Sequence, residues 1–434
     1  FGFDDVSVAT YASLKAATGS VASLYFGEPS SELDILAVTG TNGKTSTAWW
    51  LAVALSGLDA DLAIPCGLVG TLGAGRPPAL MATGMTTPDP VLLQRQFRGF
   101  VDQGLRACAI EASSIGLAER RLDGTRVRVA VFTNFTHDHL DYHGTMQAYW
   151  RAKAALFAWP GLKAAVVNLD DPMAPEVLSI LSSRDIETWT YSLRGSGRLQ
   201  ARDVHFSGAG LSFTVIEAGV AIPMQTRLVG QFNVSNLLGV IGAMRAMDVP
   251  LARAIEACSK LSPVPGRMDC VAWPGRPLVA VDYAHTPDAL QQALLSLRPL
   301  ANERGGRLWC VFGCGGDRDA AQRPWMGRLA PQLADRIVLT SDNSRSEDPQ
   351  AIIREIQAGL ENHERVDVEP ERSRAIAHAL THANPGDVVL IAGKGHEDYQ
   401  ESAGVRQPFS DKACALTVLS RLGSPTAGFL GIQA

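Results

Sequence analysis

The sequence predicts an α/β fold built on open, mainly parallel sheets, and three observations predict it. Short β-branched or apolar runs alternate with longer stretches of helical period, the pattern of strands crossed over by helices. A glycine-rich loop interrupts "LAVTGTNGKTSTAWWLAVAL", residues 36 to 55, where a strand passes into a helix. Toward the C-terminus four apolar runs, "PLVAVDYAHTPD", "RLWCVFGCGGDRD", "DRIVLTSDNSRSEDP" and "DVVLIAGKGHEDY", each end in a polar loop. In an open parallel sheet ligands sit beyond the carboxyl ends of the strands, so four such loops imply one crevice.

At 434 residues the chain has room for two or three domains with separate cores. A formal net charge of −5 leaves no basic footprint for nucleic acid, so none is expected as a partner. No apolar stretch reaches membrane-spanning length and no signal peptide is visible, so no membrane insertion is expected. The seven cysteines are scattered and mostly embedded in apolar runs, which suits reduced core thiols in a cytoplasmic protein. Cys310 and Cys314 fall within a strand-like run, an unsuitable setting for a zinc or redox pair.

Residues 1–34 read as a stub too short for a core, with one helical pattern in "YASLKAATG". The chain begins at Phe1 without methionine, so a preceding segment is expected to have been removed or left out. From residue 35 the first large unit opens with the glycine loop. Glycines let backbone N–H groups turn toward an anion, the helix start adds its dipole, and a lysine reaches the outer phosphates. Gly40 and Gly43 have two residues between them where the general P-loop has four, so the loop is a variant. Lys44 is expected to neutralise β/γ-phosphates, and Thr45 or Ser46 to offer a hydroxyl to Mg²⁺.

Next, "RACAIEASSIGLAERRLDG" reads as a strand ending at Glu111. A carboxylate there suits a metal ligand or, equally, a solvated loop. In "VAVFTNFTHDHLDYHGTMQAYWRAKAALF" a strand ends at Asn134, and the following loop crowds His137, Asp138, His139, Asp141 and His143. Their spacing is not that of a closed structural zinc site, and Mg²⁺ prefers oxygen to imidazole. The helix after it carries Met146, Tyr149, Trp150, Leu156 and Phe157 on one face together with Lys153. Such a lysine either snorkels to water or is buried; burial lowers its pKa, and a neutral amine can add carbon dioxide to become a Mg²⁺-binding carbamate. "ARDVHFSGAGLSFTVIEAGVAIPMQTRL" alternates like a small antiparallel side sheet, and "LSPVPGRMD", residues 261 to 269, reads as a linker.

Taken together, "TGTNGKTS", "EASS.GL..R", "TNFTHDHLDYHG…K", "GQFNVSNLLG", "PVPGRMD", "VDYAHTPDAL", "GCGGDRD..QRPWMG" and "GKGHEDYQ" resemble the Mur ligases of peptidoglycan synthesis, specifically those adding the third residue of the stem peptide. The resemblance runs from about residue 24 to the C-terminus. It implies a remnant of an N-terminal UDP-binding domain (1–34), a central P-loop ATPase-like domain (35–262) and a Rossmann-like, amino-acid-binding C-terminal domain (263–434). The N-terminal domain that grips the uridine nucleotide is thus expected to be mostly absent. The implied reaction is ATP-dependent: the D-glutamate carboxylate of UDP-MurNAc-L-Ala-D-Glu becomes an acyl phosphate, and an incoming amine displaces phosphate.

By motif, the resemblance implies ATP binding by Gly40, Thr41, Asn42, Gly43, Lys44, Thr45, Ser46, Asn134, Asn233, Asn236, Arg267 and Asp282. It implies Mg²⁺ ligation by Thr45, Glu111, His139 and carbamylated Lys153, with Lys44, Lys153, Glu111 and His139 carrying the catalysis. The muramoyl dipeptide is expected on Thr86, Thr87, Ser113 and Arg121; Glu119 stands where the family often has glutamine. For the incoming amino acid the family's "DNPR" signals meso-diaminopimelate, and here the motif is "DNSR", with Ser344 in place of the proline. Arg323, Asp342, Asn343, Arg345, Gly393 and Glu397 are the implied contacts, the arginines for the distal carboxylate and Glu397 for the distal ammonium. The expectation is a cytoplasmic monomer adding meso-diaminopimelate. The alternatives are the L-lysine-adding branch, a folylpolyglutamate synthetase-like ligase, and a P-loop regulator that ligates nothing.

Overall fold

The computed structural model describes residues 10–207, 210–361 and 364–423. The first nine residues of the predicted stub, two residues of the predicted side sheet and the last eleven of the chain lie outside the described residues. The architecture is α/β, with one eleven-stranded sheet, one six-stranded sheet and a two-stranded hairpin.

Asp34–Thr39 sits inside the large sheet, flanked by parallel Ala107–Glu111 and Val127–Phe132. Its residues from Ile35 to Val38 are fully buried, as both faces of a parallel sheet require. The two neighbours leave in opposite directions through the sheet, so the loop after Thr39 lies at a topological switch point. The register sets Val38 opposite Glu111 and Thr39 opposite Phe132, which brings three strand ends together. The predicted antiparallel segment forms Leu199–Ser207, Gly210–Glu217 and Val220–Gln225, as its alternation requires. These strands continue the large sheet through parallel pairing of Tyr191 with Leu199 and Ser192 with Gln200, rather than forming a separate sheet.

Helix Lys44–Ser56 and helix Gln231–Arg245 cover one face of this sheet, and their apolar residues share its core. Trp50, Leu51 and Leu55 are almost wholly buried, and side chains of that size contribute about 1.5–3 kcal/mol each on leaving water. Gly242 lets the second helix approach, since a Cβ there would come 2.8 Å from Val166. The other face is covered by a second apolar cluster that includes Trp150, Leu156 and Phe157.

All four C-terminal apolar runs become strands of the six-stranded sheet: Leu278–Asp282, Leu308–Phe312, Arg336–Leu339 and Val388–Ala392. They are mutually parallel, so their polar loops do share one edge. The edge strands Asp269–Val271 and Val366–Val368 are too short to give a periodic signal. The predicted linker is packed: Leu261 and Val264 join the core of the large sheet, Met268 that of the smaller, and Trp50 Nε1 donates to Ser262 O (3.0 Å). Among the described residues no helix is long and apolar enough to cross a membrane.

Candidate active site

The phosphate loop is held from beneath by the strand end beside it. Thr41 N donates to Asn134 O (2.9 Å), Asn42 N to Asn134 Oδ1 (2.8 Å), and Asn134 Nδ2 back to Asn42 O (3.1 Å). Thr133 Oγ1 also donates to Asn42 O (2.6 Å). Asn134 therefore shapes the loop with both ends of its side chain. Glycine is required twice: at Gly43 φ is +84° and a Cβ would meet Asn236 Oδ1 at 2.4 Å, and at Gly40 it would meet Thr133 Oγ1 at 1.9 Å. Asn236 and Asn233, one helical turn apart and buried, link through Asn236 Nδ2 to Asn233 Oδ1 (3.2 Å) beside the loop.

Lys44 folds over the loop, its Nζ donating to Gly40 O (2.9 Å) and Thr41 O (2.8 Å). Burial lowers its pKa, partly offset by Glu111. Thr45 Oγ1 donates to Glu111 Oε2 (2.9 Å) and accepts from Arg267 Nη2 (3.2 Å), so a strand end of the large sheet and the segment leading into the smaller one meet on one hydroxyl. Among the described residues Arg267 Nη1 is buried with no partner, and its guanidinium lies 4.2 Å from the Tyr283 ring centre. Ser46 is buried behind Thr45. Asp282, at its strand end, accepts from Met268 N (2.6 Å); burial raises its pKa, opposed by Arg267.

Lys153 does not snorkel. It is 1% exposed, its Nζ donates to Gly40 O at 2.5 Å and sits 4.6 Å from the Tyr149 ring centre. Burial, then repulsion from Lys44, holds its pKa well below the usual lysine value. His139 adopts φ 53° with Nε2 3.5 Å from Asp138; burial takes its pKa to about 4, so its ring is neutral at neutral pH. The histidines crowded in sequence diverge, His143 toward Ser114 Oγ (3.0 Å) and His137 toward Asp319 (4.0 Å). Among the described residues no three His, Cys, Asp or Glu side chains converge as a metal-binding group.

The threonine pair lies beside Glu111. Thr87 Oγ1 donates to Glu111 O (2.7 Å) and shares a hydrogen bond with Ser113 Oγ (2.9 Å), while Arg121 donates to Thr87 O (2.9 Å). Thr86 reaches Thr71 (3.0 Å), and Thr71 N donates to Glu111 Oε1 (2.8 Å). Thr71 carried no sequence signal, lying in an ordinary-looking turn. Glu119 is taken by Lys15 and Tyr142.

On the smaller sheet Asn343 Nδ2 donates to Glu397 Oε2 (2.8 Å), and the fully buried Lys394 donates to Asn343 Oδ1 (2.9 Å) and Glu397 Oε2 (3.0 Å). Lys394 was legible only as part of its glycine-rich loop. Gly393 must be glycine, since at φ +117° a Cβ would meet Asp342 Oδ2 at 2.3 Å. Arg323 is engaged within the chain. It lies in the first turn of helix Gln322–Leu333 rather than on a strand-end loop, 2% exposed, clamped by Glu347 (2.7 and 2.8 Å) and Glu355 (2.9 Å). Its charge is answered from within the chain. Arg345 instead stays on the loop and donates to Gly316 O.

Residues 38–244 match the Mur ligase middle domain, and residues 266–395 the Mur ligase glutamate ligase domain. A UDP-N-acetylmuramoyl-L-alanyl-D-glutamate--2,6-diaminopimelate ligase of Acidovorax sp. (strain JS42) is 60% identical over 420 residues, covering 96% of this chain and 84% of that protein. A protein of the same name from Pseudomonas aeruginosa (strain PAO1) is 46% identical, covering 92% and 80%. A solved structure of such a ligase superposes with TM-score 0.68 at 36% identity, over 95% of this chain and 84% of that one. A Mycobacterium tuberculosis folylpolyglutamate synthase, at 19% identity and TM-score 0.68 over 94% of this chain and 95% of that one, shares the fold.

Proposed function

The chain belongs to the Mur ligase family of ATP-dependent amide-bond-forming ligases, and on that premise we propose that it joins meso-diaminopimelate to the D-glutamate of UDP-MurNAc-L-Ala-D-Glu in peptidoglycan precursor synthesis. The observation that carries the reading is the meeting of Arg267, in the segment leading into the smaller sheet, with Thr45 at 3.2 Å, which ties the glycine loop to the unit whose loops bear Asn343, Arg345 and Glu397. The names of the relatives supply the substrates that such a crevice would serve.

In this reading the loop Gly40–Ser46 cradles the ATP phosphates, with Lys44 leaving its own carbonyls to neutralise them. Asn233 and Asn236 border the adenine, Asn134 keeps the loop in shape, and Arg267 and Asp282 close on the nucleotide from the other sheet. Thr86, Thr87, Ser113 and Arg121 hold the muramoyl dipeptide. The glutamate carboxylate oxygen attacks the γ-phosphorus and ADP leaves. The incoming amine nitrogen then bonds to the acyl carbon, loses a proton, and inorganic phosphate departs. A carboxylate meeting a γ-phosphate brings two anions together, so the cations Lys44 and Arg267 must screen them.

For Mg²⁺, the oxygens of Thr45 and Glu111 beside the phosphate loop are donors of the right hardness, and His139 offers a neutral ring nitrogen. Lys153, whose pKa burial lowers, would join them as a carbamate after its amine adds carbon dioxide and loses a proton. When bound there, the metal supplies charge screening at the phosphates. Asp342, Asn343, Arg345, Gly393 and Glu397 form the diaminopimelate side; Arg323 acts there through Glu347 and Gly315, to which it is bonded. The division into 1–34, 35–262 and 263–434 belongs to the same proposal, as does action as a cytoplasmic monomer, supported by one chain furnishing both walls of the crevice.

Phosphate release, measured with ATP, Mg²⁺ and UDP-MurNAc-L-Ala-D-Glu, is expected with meso-diaminopimelate and not with L-lysine. Release with lysine alone would keep the ligase and overturn its specificity. Silence with both, from protein that still binds ATP, would move the reading to a non-ligating regulator.

A further inference from the structure

The loop after strand Arg336–Leu339 is unusual in how it is held. Asp342, Asn343 and Ser344 are buried, and Arg345 sits at φ 50°, a left-handed conformation uncommon outside glycine. Against it lies the hairpin Tyr399–Ser402 with Val405–Pro408, paired from Tyr399 opposite Pro408 to Ser402 opposite Val405. The hairpin runs alongside the loop and bonds it residue by residue. Gln400 Nε2 donates to Ser341 Oγ (2.8 Å) and Asp342 O (3.3 Å), and Glu401 N to Asn343 Oδ1 (2.9 Å). Ser344 Oγ donates to Ser402 Oγ (3.1 Å), and Arg345 N to Glu401 O (3.2 Å). Arg345 and Ser402 also form an isolated parallel bridge.

We infer that this hairpin is a specificity clamp: the Ser344–Ser402 hydroxyl pair positions Arg345, and through it the selection of the incoming amino acid. The left-handed turn at Arg345 aims its guanidinium back over the loop at residues 315–316, where a Cβ on Gly315 would lie 2.9 Å from Arg345 Nη1. Losing the hydroxyl pair frees the backbone just before that turn, and the strained φ relaxes. The guanidinium then leaves the place where a second carboxylate on the amino acid would meet it. Ser402 is a positioning residue; it is exposed, so trimming its hydroxyl removes no core packing. The hairpin is itself braced by Arg406, which bonds Glu401 (2.9 Å) and lies over the Tyr399 ring.

The inference rests on the amino-acid reading of residues 342–345 proposed above. The test is steady-state kinetics of the full chain with Ser402→Ala, Ser344→Ala, the double variant, Ser402→Thr and Arg345→Ala, varying diaminopimelate, ATP and the nucleotide dipeptide in turn. One hydroxyl–hydroxyl hydrogen bond corresponds to about three- to tenfold in affinity. Each single serine variant is expected to raise KM for diaminopimelate by that factor, leaving KM for ATP unchanged. The double variant should be no worse than either single, because both remove the same bond, and Ser402→Thr should restore the parent value. Additive losses, or a parallel rise in KM for ATP, would overturn the clamp. If Arg345→Ala raises the diaminopimelate KM while the serine variants do not, the clamp fails and the amino-acid reading stands. If Arg345→Ala leaves it unchanged, that reading itself fails.

Discussion

Among the described residues no carboxylate is bonded to Lys153. A carbonyl at 2.5 Å and an aromatic face are its neighbours, and burial beside Lys44 favours the neutral amine. A buried amine whose pKa is lowered is the form of lysine chemically prepared to take up carbon dioxide. Lys153→Ala is expected to lower kcat by about a hundredfold or more, the scale of losing one electrostatic group aimed at developing charge. Short-chain carboxylates should restore part of that rate by occupying the emptied space as anions. An alanine variant that ligates at the parent rate would remove the carbamate from the reaction. Sequence spacing alone put Lys153 on the apolar face; only the packed helix chose between burial and snorkelling.

At the scale of elements, the strand–loop–helix unit around Gly43 was readable because its chemistry is local: glycines, a lysine and a helix start follow one another in the chain. Gly43→Ala tests that reading in two parts. At φ +84° alanine is strained by about 1–3 kcal/mol, and its Cβ would also strike Asn236, so both stability and ATP affinity should fall. Gly219 has the same φ with nothing within 4 Å, so Gly219→Ala should carry the same backbone strain of about 1–3 kcal/mol without the clash, and leave ATP binding alone. Equal thermal shifts and equal ATP affinities for the two variants would show that the contact with Asn236 is unimportant. The hairpin Tyr399–Pro408 left no such mark in the sequence. Its strands are four residues each, the first half-buried and the second exposed, and their partners lie some sixty residues earlier, where no periodicity can report them.

Across the whole molecule, the two sheets meet where Asp288, at the start of helix Pro287–Glu303, accepts from Asn42 Nδ2 (3.0 Å) on the phosphate loop. Burial raises the pKa of Asp288 and, with repulsion from Asp288, that of Asp171. A carboxyl whose pKa is raised in the assembled form binds protons more readily there than when exposed. The assembled form therefore gains as pH falls into the carboxylate range and loses as pH rises through the raised values. Small-angle scattering should show a more compact particle at about pH 5 than at about pH 8, and Asp288→Asn should flatten the difference. An Asp288→Asn protein that keeps the full pH response would assign it to other groups.

Sequence by itself determined what is encoded by neighbours in the chain: the α/β class, the strands with their polar ends, the glycine loop between strand and helix, and the motifs that mark the ligase family. These depend on period, turn chemistry and residue type, all local quantities. Tertiary structure alone decided which of those residues meet. It joined the antiparallel strands to the parallel sheet, set Arg267 on Thr45, buried Lys153, dispersed the histidines and answered Arg323 from within. It also laid a hairpin along the loop that presents Arg345. The physical reason is common to all of these. Burial, charge compensation and backbone strain are properties of groups brought together from distant parts of the chain, and no stretch of sequence contains both partners.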